Sequence, residues 1–311
     1  MPAPLTVMTW NVRYFAHGVR GLSATRAGMV RAADTLAQMM PLPDLIALQE
    51  VETRSLRAGL HAVGQLERFL SVLHDALAAR GRTERFQGLY YPAHRYGLTV
   101  GPALYTTGLA ILVGPRLVVE DHNAEDPHDV THVRLSRFQR FKQRRIVGHV
   151  RVRPREGGPA LDLFNTHLSL PAFLEVGPTQ VSRRMGDGSN QLAEIGAVMA
   201  FIEAHRKGPA VLVGDFNTRP GSAAYDAVVA AGFHDAYATA NDLAPAELRR
   251  HATAGFATSR MHIDHVFSTG DVAWEAVHGF PFGDRHAFHG ISDHTPKVGH
   301  LVLPTDADVA A

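Results

Sequence analysis

Short apolar runs that end in an acid, an amide or a histidine recur along this chain, and that rhythm predicts most of its elements. Leu5 to Val12 alternates and is rich in β-formers, so it reads as a strand with Asn11 near its outgoing end. Met29, Ala33, Leu36 and Met40 recur at helical spacing and predict a helix from about Ala24 to Met40, with Ser23 as its cap and Pro41 and Pro43 as its stop. Asp44 to Glu50 is a second short strand closed by Gln49 and Glu50. Leu60, Val63, Leu66, Leu70, Leu73 and Leu77 then predict one long amphipathic helix over Leu56 to Arg80. Phe86 to Tyr91, Gly108 to Val113, Leu117 to Val119, Ile146 to Val152 and Leu161 to Thr166 follow as short β runs between Gly, Pro and charged turns. A helix from about Asn190 to His205 precedes the buried strand Ala210 to Val213, and another spans Ser222 to Ala231. Ile263 to Ser268, Val272 to His278 and Val298 to Leu303 supply the closing strands.

Short strands mixed with amphipathic helices imply sheets packed face to face and covered outside by helices, an α+β sandwich. The chain shows no fixed-period repeat, no low-complexity tract and no linker long enough for a boundary, so residues 1–311 read as a single domain. Three stretches, 92–107, 120–145 and 169–189, read as long loops, which in a compact domain are either functional lids or mobile filler, the lid being the preferred reading.

Composition narrows the chemistry. With 311 residues, 45% hydrophobic and 20% charged, the chain can bury a substantial core. Zero cysteines exclude disulfides, thiolate metal sites and cysteine nucleophiles, so a bound metal must be held by oxygen or imidazole. A formal net charge of only +1 argues against a strong field for gripping long duplex nucleic acid. No apolar stretch approaches the roughly 18 residues of a membrane span, and Met1 to Leu5 lacks the regions of a signal peptide. The expectation is a soluble protein with cytoplasmic localisation and no obligate protein partner.

The candidate chemistry centres on Gly214-Asp215-Phe216-Asn217, where the strand Ala210 to Val213 leaves the core. Side chains alternate along an extended chain, so Asp215 and Asn217 are expected to project together while Phe216 turns inward. Taken alone, Asp-x-Asn reads as an Asx turn capping the helix near Ser222. Its company changes the picture. Asn11, Glu50, Asn165-Thr166-His167, His262-Ile263-Asp264-His265 and Ser292-Asp293-His294 also follow or close strand-like runs. Such groups are costly to bury unpaired, so they are expected to converge where they can pair or bind a cation.

These ordered motifs, with Trp10-Asn11, Gln49-Glu50, Gly108 and Ala110-Ile111-Leu112 among them, span Thr9 to His294 and resemble the endonuclease/exonuclease/phosphatase superfamily. That superfamily holds metal-dependent phosphoesterases related to deoxyribonuclease I, abasic-site endonucleases, sphingomyelinases, inositol polyphosphate 5-phosphatases and deadenylases. The resemblance implies a deoxyribonuclease I-like four-layer α/β sandwich, with two mostly antiparallel β-sheets flanked by helices and the active site at one edge. It implies Mg²⁺ or Mn²⁺ held by Glu50, Asn11 and Asp293, hard cations that suit oxygen ligands and leave room for substrate. It further implies that Asp215 orients or deprotonates the attacking water and Asn217 holds that water or a phosphate oxygen. His294, oriented by Asp264, and His167 would contact the phosphate.

Other positions fit less directly. His265 stands where relatives often carry an aromatic, and with His262 it makes the pocket imidazole-rich; a structural histidine is the competing reading. Tyr105 and Tyr96 are candidates for a phosphate-facing tyrosine. Arg145, at the end of the basic run from Arg137, is either a phosphate ligand or part of a solvated edge. His122, His128 and His132 stand among Asp121, Asp126 and Asp129, with spacing irregular enough to favour a solvated loop over a transition-metal site. Phe280, Phe282, Phe288, His286 and His289 are candidate pocket walls, and Leu170, Pro171, Phe173, Leu174 and Val176 a lid or a packing segment. The expected activity is phosphodiester hydrolysis. The substrate is a small-molecule or lipid-headgroup phosphodiester, with nucleic acid as the alternative and a non-catalytic binding module of the same fold as the third reading.

Overall fold

The computed structural model describes residues 4–16, 26–58, 61, 63–96, 103–132, 143–170, 185–256 and 259–304. Its first sheet runs, in spatial order, through β14 (Ala273–Gly279), β15 (Lys297–Val302), β1 (Leu5–Asn11), β2 (Leu45–Val51), β4 (Tyr105–Val113) and β3 (Gln87–Tyr96). The second runs through β10 (His234–Asp235), β13 (Asp264–Ser268), β9 (Ala210–Asp215), β8 (Leu161–His167), β7 (Ile146–Pro154) and β5 (Leu117–His122), with β6 (His128–Asp129) also on β7. Each sheet has one parallel pair at its centre, β1 with β2 and β8 with β9, and its other pairings are antiparallel. A small ribbon of β11 (Ala254–Phe256) and β12 (Ser259–Met261) stands apart.

Strand alternation builds the layers. Val7, Leu45, Ile111, Leu163, Val213 and Val266 face one another between the sheets. Their neighbours Met8, Trp10, Ile46 and Leu48 turn outward onto α1 (Arg26–Ala37) and α2 (Gln65–Ala78), against Leu36, Phe69 and Leu73. On the far side Phe164, Leu212 and Phe267 meet Ile195, Val198 and Val228 of α3 (Ser189–His205) and α4 (Ala223–Ala230). Helix, sheet, sheet, helix is the four-layer sandwich expected above, and three apolar seams hold it. Two short helices, α5 (Ala236–Ala240) and α6 (Pro245–Leu248), complete the described α-helices.

Four expectations need correction. The helix predicted over Leu56 to Arg80 begins only at Gln65. The residues ahead of it are tied elsewhere, because the amides of Leu56 and Arg57 donate to the carbonyls of Ala103 and Leu104. Glu52 meanwhile takes the Ser55 hydroxyl and the Arg57 guanidinium. The first helix ends at Ala37 rather than Met40, whose side chain is 83% exposed, and the Arg82 guanidinium takes up the Ala37 and Met39 carbonyls; its predicted start at Ser23 and Ala24 lies outside the described residues. Among the described residues of stretch 92–107, 92–96 and 105–107 are strand rather than loop, since β3 and β4 remain paired out to Tyr96 and Tyr105, with a bulge after Pro92, which has no N–H for the ladder; 97–102 lie outside the described residues. Likewise 120–145 contributes the end of β5 and all of β6. Residues 171–184, with the apolar segment from Pro171 to Val176, and residues 133–142, with most of the basic run, lie outside the described residues.

Candidate active site

Parallel pairing decides where the chemistry gathers. β1 and β2 end side by side, as do β8 and β9, so Asn11, Glu50, His167 and Asp215 emerge at one edge of the sandwich. β13 runs antiparallel to β9 and begins at Asp264, directly opposite Asp215. β15, antiparallel to β1, is entered through Asp293 and His294 at that same edge. Six segments of the chain therefore deliver polar side chains to one place.

Local backbone devices aim them. Gln49 and Glu50 are neighbours on a strand and should face opposite ways, yet a bulge between Gln49 and Val51 and a φ of +56° at Glu50 release the carboxylate from that alternation. Gln49 instead points between the sheets, its amide donating to Asn165 Oδ1 at 2.8 Å and to Thr9 Oγ1 at 3.0 Å. Asn165 in turn donates to the Leu48 carbonyl, so a buried amide pair ties the sheets together beneath the site. Gly214 has φ +144°, and a Cβ there would stand 2.0 Å from the Thr166 carbonyl oxygen, so only glycine lets β9 pass β8 in this conformation.

A chain of contacts links the groups. The Asn11 carboxamide donates to Glu50 Oε1 at 3.1 Å and to Asp215 Oδ2 at 3.0 Å. Asp215 Oδ2 lies 3.4 Å from His167 Nε2 and 3.6 Å from His294 Nε2. His294 presents its other nitrogen to Asp264 Oδ2 at 2.9 Å, and Thr253 donates to that same oxygen at 2.6 Å. Trp10 Nε1 holds the His294 carbonyl at 3.1 Å, and Ser292 Oγ donates to the Asn11 carbonyl at 2.8 Å, which fixes the loop to the strand. Asp293 pairs with Arg13 at 2.8 Å. Asn217, at φ +47°, donates its backbone N–H to Asp215 Oδ1 at 3.0 Å, so an Asx turn does form, without capping the helix that follows. Its side chain bonds the Leu168 carbonyl at 3.0 Å.

Burial in this cluster separates the protonation states. Asp215 is almost fully buried, and burial raises its carboxyl to about 7, with the Asp264 carboxylate adding to the rise and His294, Asn11 and the Asn217 amide opposing it. Burial also works against the His294 cation, but the Asp264 and Asp215 carboxylates outweigh it and hold the imidazolium well above the usual range. His167 moves the other way, since burial, Arg145 and His294 all disfavour its charged form. One buried carboxyl near neutrality, one cationic imidazole and one neutral imidazole thus stand in contact, a separation of states of the kind acid–base chemistry uses.

Among the remaining candidates, Arg145 joins the cluster. It is 8% exposed, its Nε has no partner, and it touches the His167 carbonyl at 3.5 Å. It lines a narrow pocket with His167, Thr107 and Gly108, and that pocket shares Ala93 and Arg144 with a cleft of about 670 Å³ between β3 and residues 125–127. Tyr105 does not join; it stacks on Tyr96 at 5.1 Å beside Arg57. His265 does not join either. It is fully buried, with its nitrogens 3.2 Å from Asp235 Oδ2 and 2.8 Å from the Thr218 carbonyl, and it belongs to an interior group with His262, Asp235 and Lys297. Alternation along β13 turns it away from the face that Asp264 occupies. Phe288 packs under Trp10 in the helix-side core rather than walling the pocket. His122, His128 and His132 form no metal-ready group among the described residues; His128 stacks on Phe201.

Sequence reasoning missed Tyr14, whose ring lies under the Arg57 guanidinium at 3.5 Å, and the buried Gln191 and Glu194. Gln191 Nε2 donates to the Asn217 carbonyl at 2.8 Å, and Glu194 accepts from Ser169. The available signal was a Gln and a Glu three apart on the otherwise apolar inner face of α3.

The donor set is chemically suited to a hard cation. Glu50 offers a partly exposed carboxylate, Asp293 another, and Asn11 an amide oxygen, while the chain has no cysteine thiolate and the nearby imidazoles are engaged with carboxylates. Asp215, Asp264 and His294 additionally present ligand atoms within 4.8 Å of one another.

The fold and this edge-sited cluster define a class. Residues 8–294 match the model of the Endonuclease/Exonuclease/phosphatase family, and the chain belongs to that family, which includes metal-dependent nucleases and phosphodiesterases. Among solved structures, an endonuclease/exonuclease/phosphatase from Beutenbergia cavernae is similar at 22% identity and TM-score 0.65, over 97% of this chain and 72% of that one. The human Nocturnin catalytic domain, determined with a bound sulfate anion, is similar at 17% identity and TM-score 0.60, over 98% and 96%. Truncated TDP2 of Caenorhabditis elegans is similar at 19% identity and TM-score 0.56, over 96% and 97%. No curated protein matches the chain. Among the described residues no helix is long and apolar enough to cross a membrane.

Proposed function

We propose that this protein is a divalent-metal-dependent phosphodiesterase that hydrolyses a P–O ester by in-line attack of water. The observation that carries the reading is the unbroken chain of contacts from Glu50 through Asn11 and Asp215 to His294 and Asp264, gathered from both sheets. Glu50, Asn11 and Asp293 would hold Mg²⁺ or Mn²⁺, which when bound supplies Lewis-acid stabilisation of charge on the phosphoryl oxygens. Asp215, with a carboxyl raised to about 7, accepts the proton of the attacking water once ionised. Asn217 fixes the position of Asp215 through its backbone N–H and leaves its carboxamide oxygen for that water. His294, kept cationic by Asp264, donates to a non-bridging oxygen as charge builds, and neutral His167 donates beside it. Arg145, buried without a carboxylate in ion-pair reach among the described residues, finds its counter-charge in the substrate phosphate.

Within this class a small polar phosphodiester is favoured over a nucleic acid. The adjoining cleft carries both signs, Arg95 and Arg144 against Glu125 and Asp126, where a nucleic-acid groove would be uniformly basic. The test is hydrolysis of bis(p-nitrophenyl) phosphate. Glu50→Gln and Asp215→Asn should each lower turnover by at least about 10³-fold without unfolding the protein, EDTA should silence the wild type, and Mg²⁺ or Mn²⁺ should restore it. Undiminished turnover in either variant, or chelator-resistant activity, removes the mechanism. Supercoiled DNA, RNA and phosphomonoesters assayed at matched salt separate the substrate classes, and rapid nicking would favour the nuclease.

A further inference from the structure

Two polar residues occupy core positions early in α3, whose buried face is otherwise built by Ile195, Val198 and Ile202. Gln191 is 1% exposed and Glu194 fully buried, and their spacing of three places them side by side on one face of the helix. Gln191 Nε2 donates to the Asn217 carbonyl at 2.8 Å. Glu194 takes the Ser169 N–H at 2.8 Å and the Ser169 hydroxyl at 2.6 Å, one carboxylate oxygen for each. The two loops so held, which leave β9 and β8, are also tied to each other. Asn217 Nδ2 donates to the Leu168 carbonyl at 3.0 Å, and the Leu168 N–H donates to the Asp215 carbonyl at 3.0 Å. Hydrogen bonds thus close a ring from α3 through Asn217, Leu168 and Ser169 back to α3.

Packing alone does not account for Gln191. An apolar side chain there would continue the seam without burying an amide. Gln191 Oε1 is buried with no partner among the described residues, so its burial is offset only by the bond that Nε2 makes. What that bond fixes is Asn217. This residue stands at φ +47°, in the left-handed region that asparagine tolerates but does not enforce. Its backbone N–H is spent on Asp215 Oδ1, its carbonyl on Gln191 and its Nδ2 on Leu168. The direction of the one group that remains, the carboxamide oxygen Oδ1, is set by those three bonds together.

We propose that Gln191 is a positioning residue that aims the Asn217 carboxamide oxygen at the attacking water, with Glu194 bracing the adjoining loop from the next turn of α3. The inference rests on the reading of Asn217 as a holder of that water. A shift of about 1 Å at a reacting group can cost about 10²-fold in rate, whereas the side chains assigned to the substrate phosphate, His294, His167 and Arg145, are not held by Gln191. Turnover should therefore fall while KM holds. The test is a double-mutant cycle with bis(p-nitrophenyl) phosphate and Mn²⁺ on wild type, Gln191→Met, Asn217→Ala and the double variant, each assayed below its melting transition. Gln191→Met keeps the side-chain length without the donor, and is expected to lower kcat about 10- to 100-fold with KM within about two-fold. In the Asn217→Ala background the same change should cost no more than about three-fold, because Gln191 acts through Asn217. In the metal-free protein, NMR should show the Asn217 side-chain amide exchanging with solvent about ten-fold faster in Gln191→Met, and the Gln49 side-chain amide unchanged. A wild-type kcat in Gln191→Met overturns the proposal, as does an unchanged Asn217 exchange rate or an equal loss of kcat in both backgrounds, which would mark general loosening. Should Gln191→Met not fold, Gln191→Asn, one methylene too short for the carbonyl, takes its place with the same expected and overturning results. Undiminished turnover in Asn217→Ala, or a wild type without metal-dependent turnover, would instead overturn the reading of Asn217, and this inference with it.

Discussion

Lys297 is fully buried at the start of β15, its ammonium 2.7 Å from His262 Nε2 and 4.3 Å from the centre of the Tyr237 ring. Burial lowers its pKa from the ordinary 10.5 to about 8, against the opposing pull of the Asp235 and Asp264 carboxylates. Because the folded value lies below the unfolded one, the fold disfavours the charged amine. Below pH 8 both states keep the proton and the burial cost is present in full. Between pH 8 and 10.5 the folded chain releases a proton that the unfolded chain retains, and this group's contribution to stability rises with pH. A difference of about 2.5 pKa units corresponds to about 3 kcal/mol. A neutral amine still donates to His262, so the contact survives the titration. Lys297→Met removes the titration while keeping most of the side-chain volume. Urea denaturation of both proteins from pH 7 to 10.5 should therefore show the wild type gaining about 3 kcal/mol relative to the variant, because every other titrating group is common to the two. A stability difference that stays constant across that range would refute the reasoning.

Two further outcomes follow from the site. Hydrolysis rates should rise with pH through about 7, as Asp215 becomes the carboxylate that accepts a proton, and fall only at higher pH, where His294 gives up its own; a flat profile from pH 5.5 to 8.5 would contradict the pairing of roles. Gly214→Ala, with φ +144° and its Cβ 2.0 Å from the Thr166 carbonyl oxygen, should cost at least about 2–3 kcal/mol in denaturant titration, while an unchanged midpoint would show that β8 and β9 can separate cheaply.

Much of this was legible along the chain. Apolar runs with polar ends located β1, β2, β8 and β9, and with the last strands they named the groups that gather at one edge, because parallel pairing places the outgoing ends of adjacent strands together. Helical periodicity located α1 and α3 but overran α2, since Leu56 and Val63 fit the helical pattern although the loop ahead of Gln65 is tied to residues near Ala103. That tie joins positions far apart in sequence, beyond what any local period can report.

By itself, then, the sequence determined which residue types stand at each strand end and which faces of strands and helices bury. Burial follows from periods of 2 and 3.6 residues, and both are local properties. The direction of each polar side chain was decided only in three dimensions. Glu50 escapes its strand's alternation at a bulge, and Asp264 faces the site while its neighbour His265 faces an interior group with Asp235 and Lys297. Tyr14 is brought under the Arg57 guanidinium by a left-handed turn that no sequence period announces. Bulges, positive φ angles and buried charge groups are selected by contacts between distant segments, which is why the tertiary structure alone assigns them.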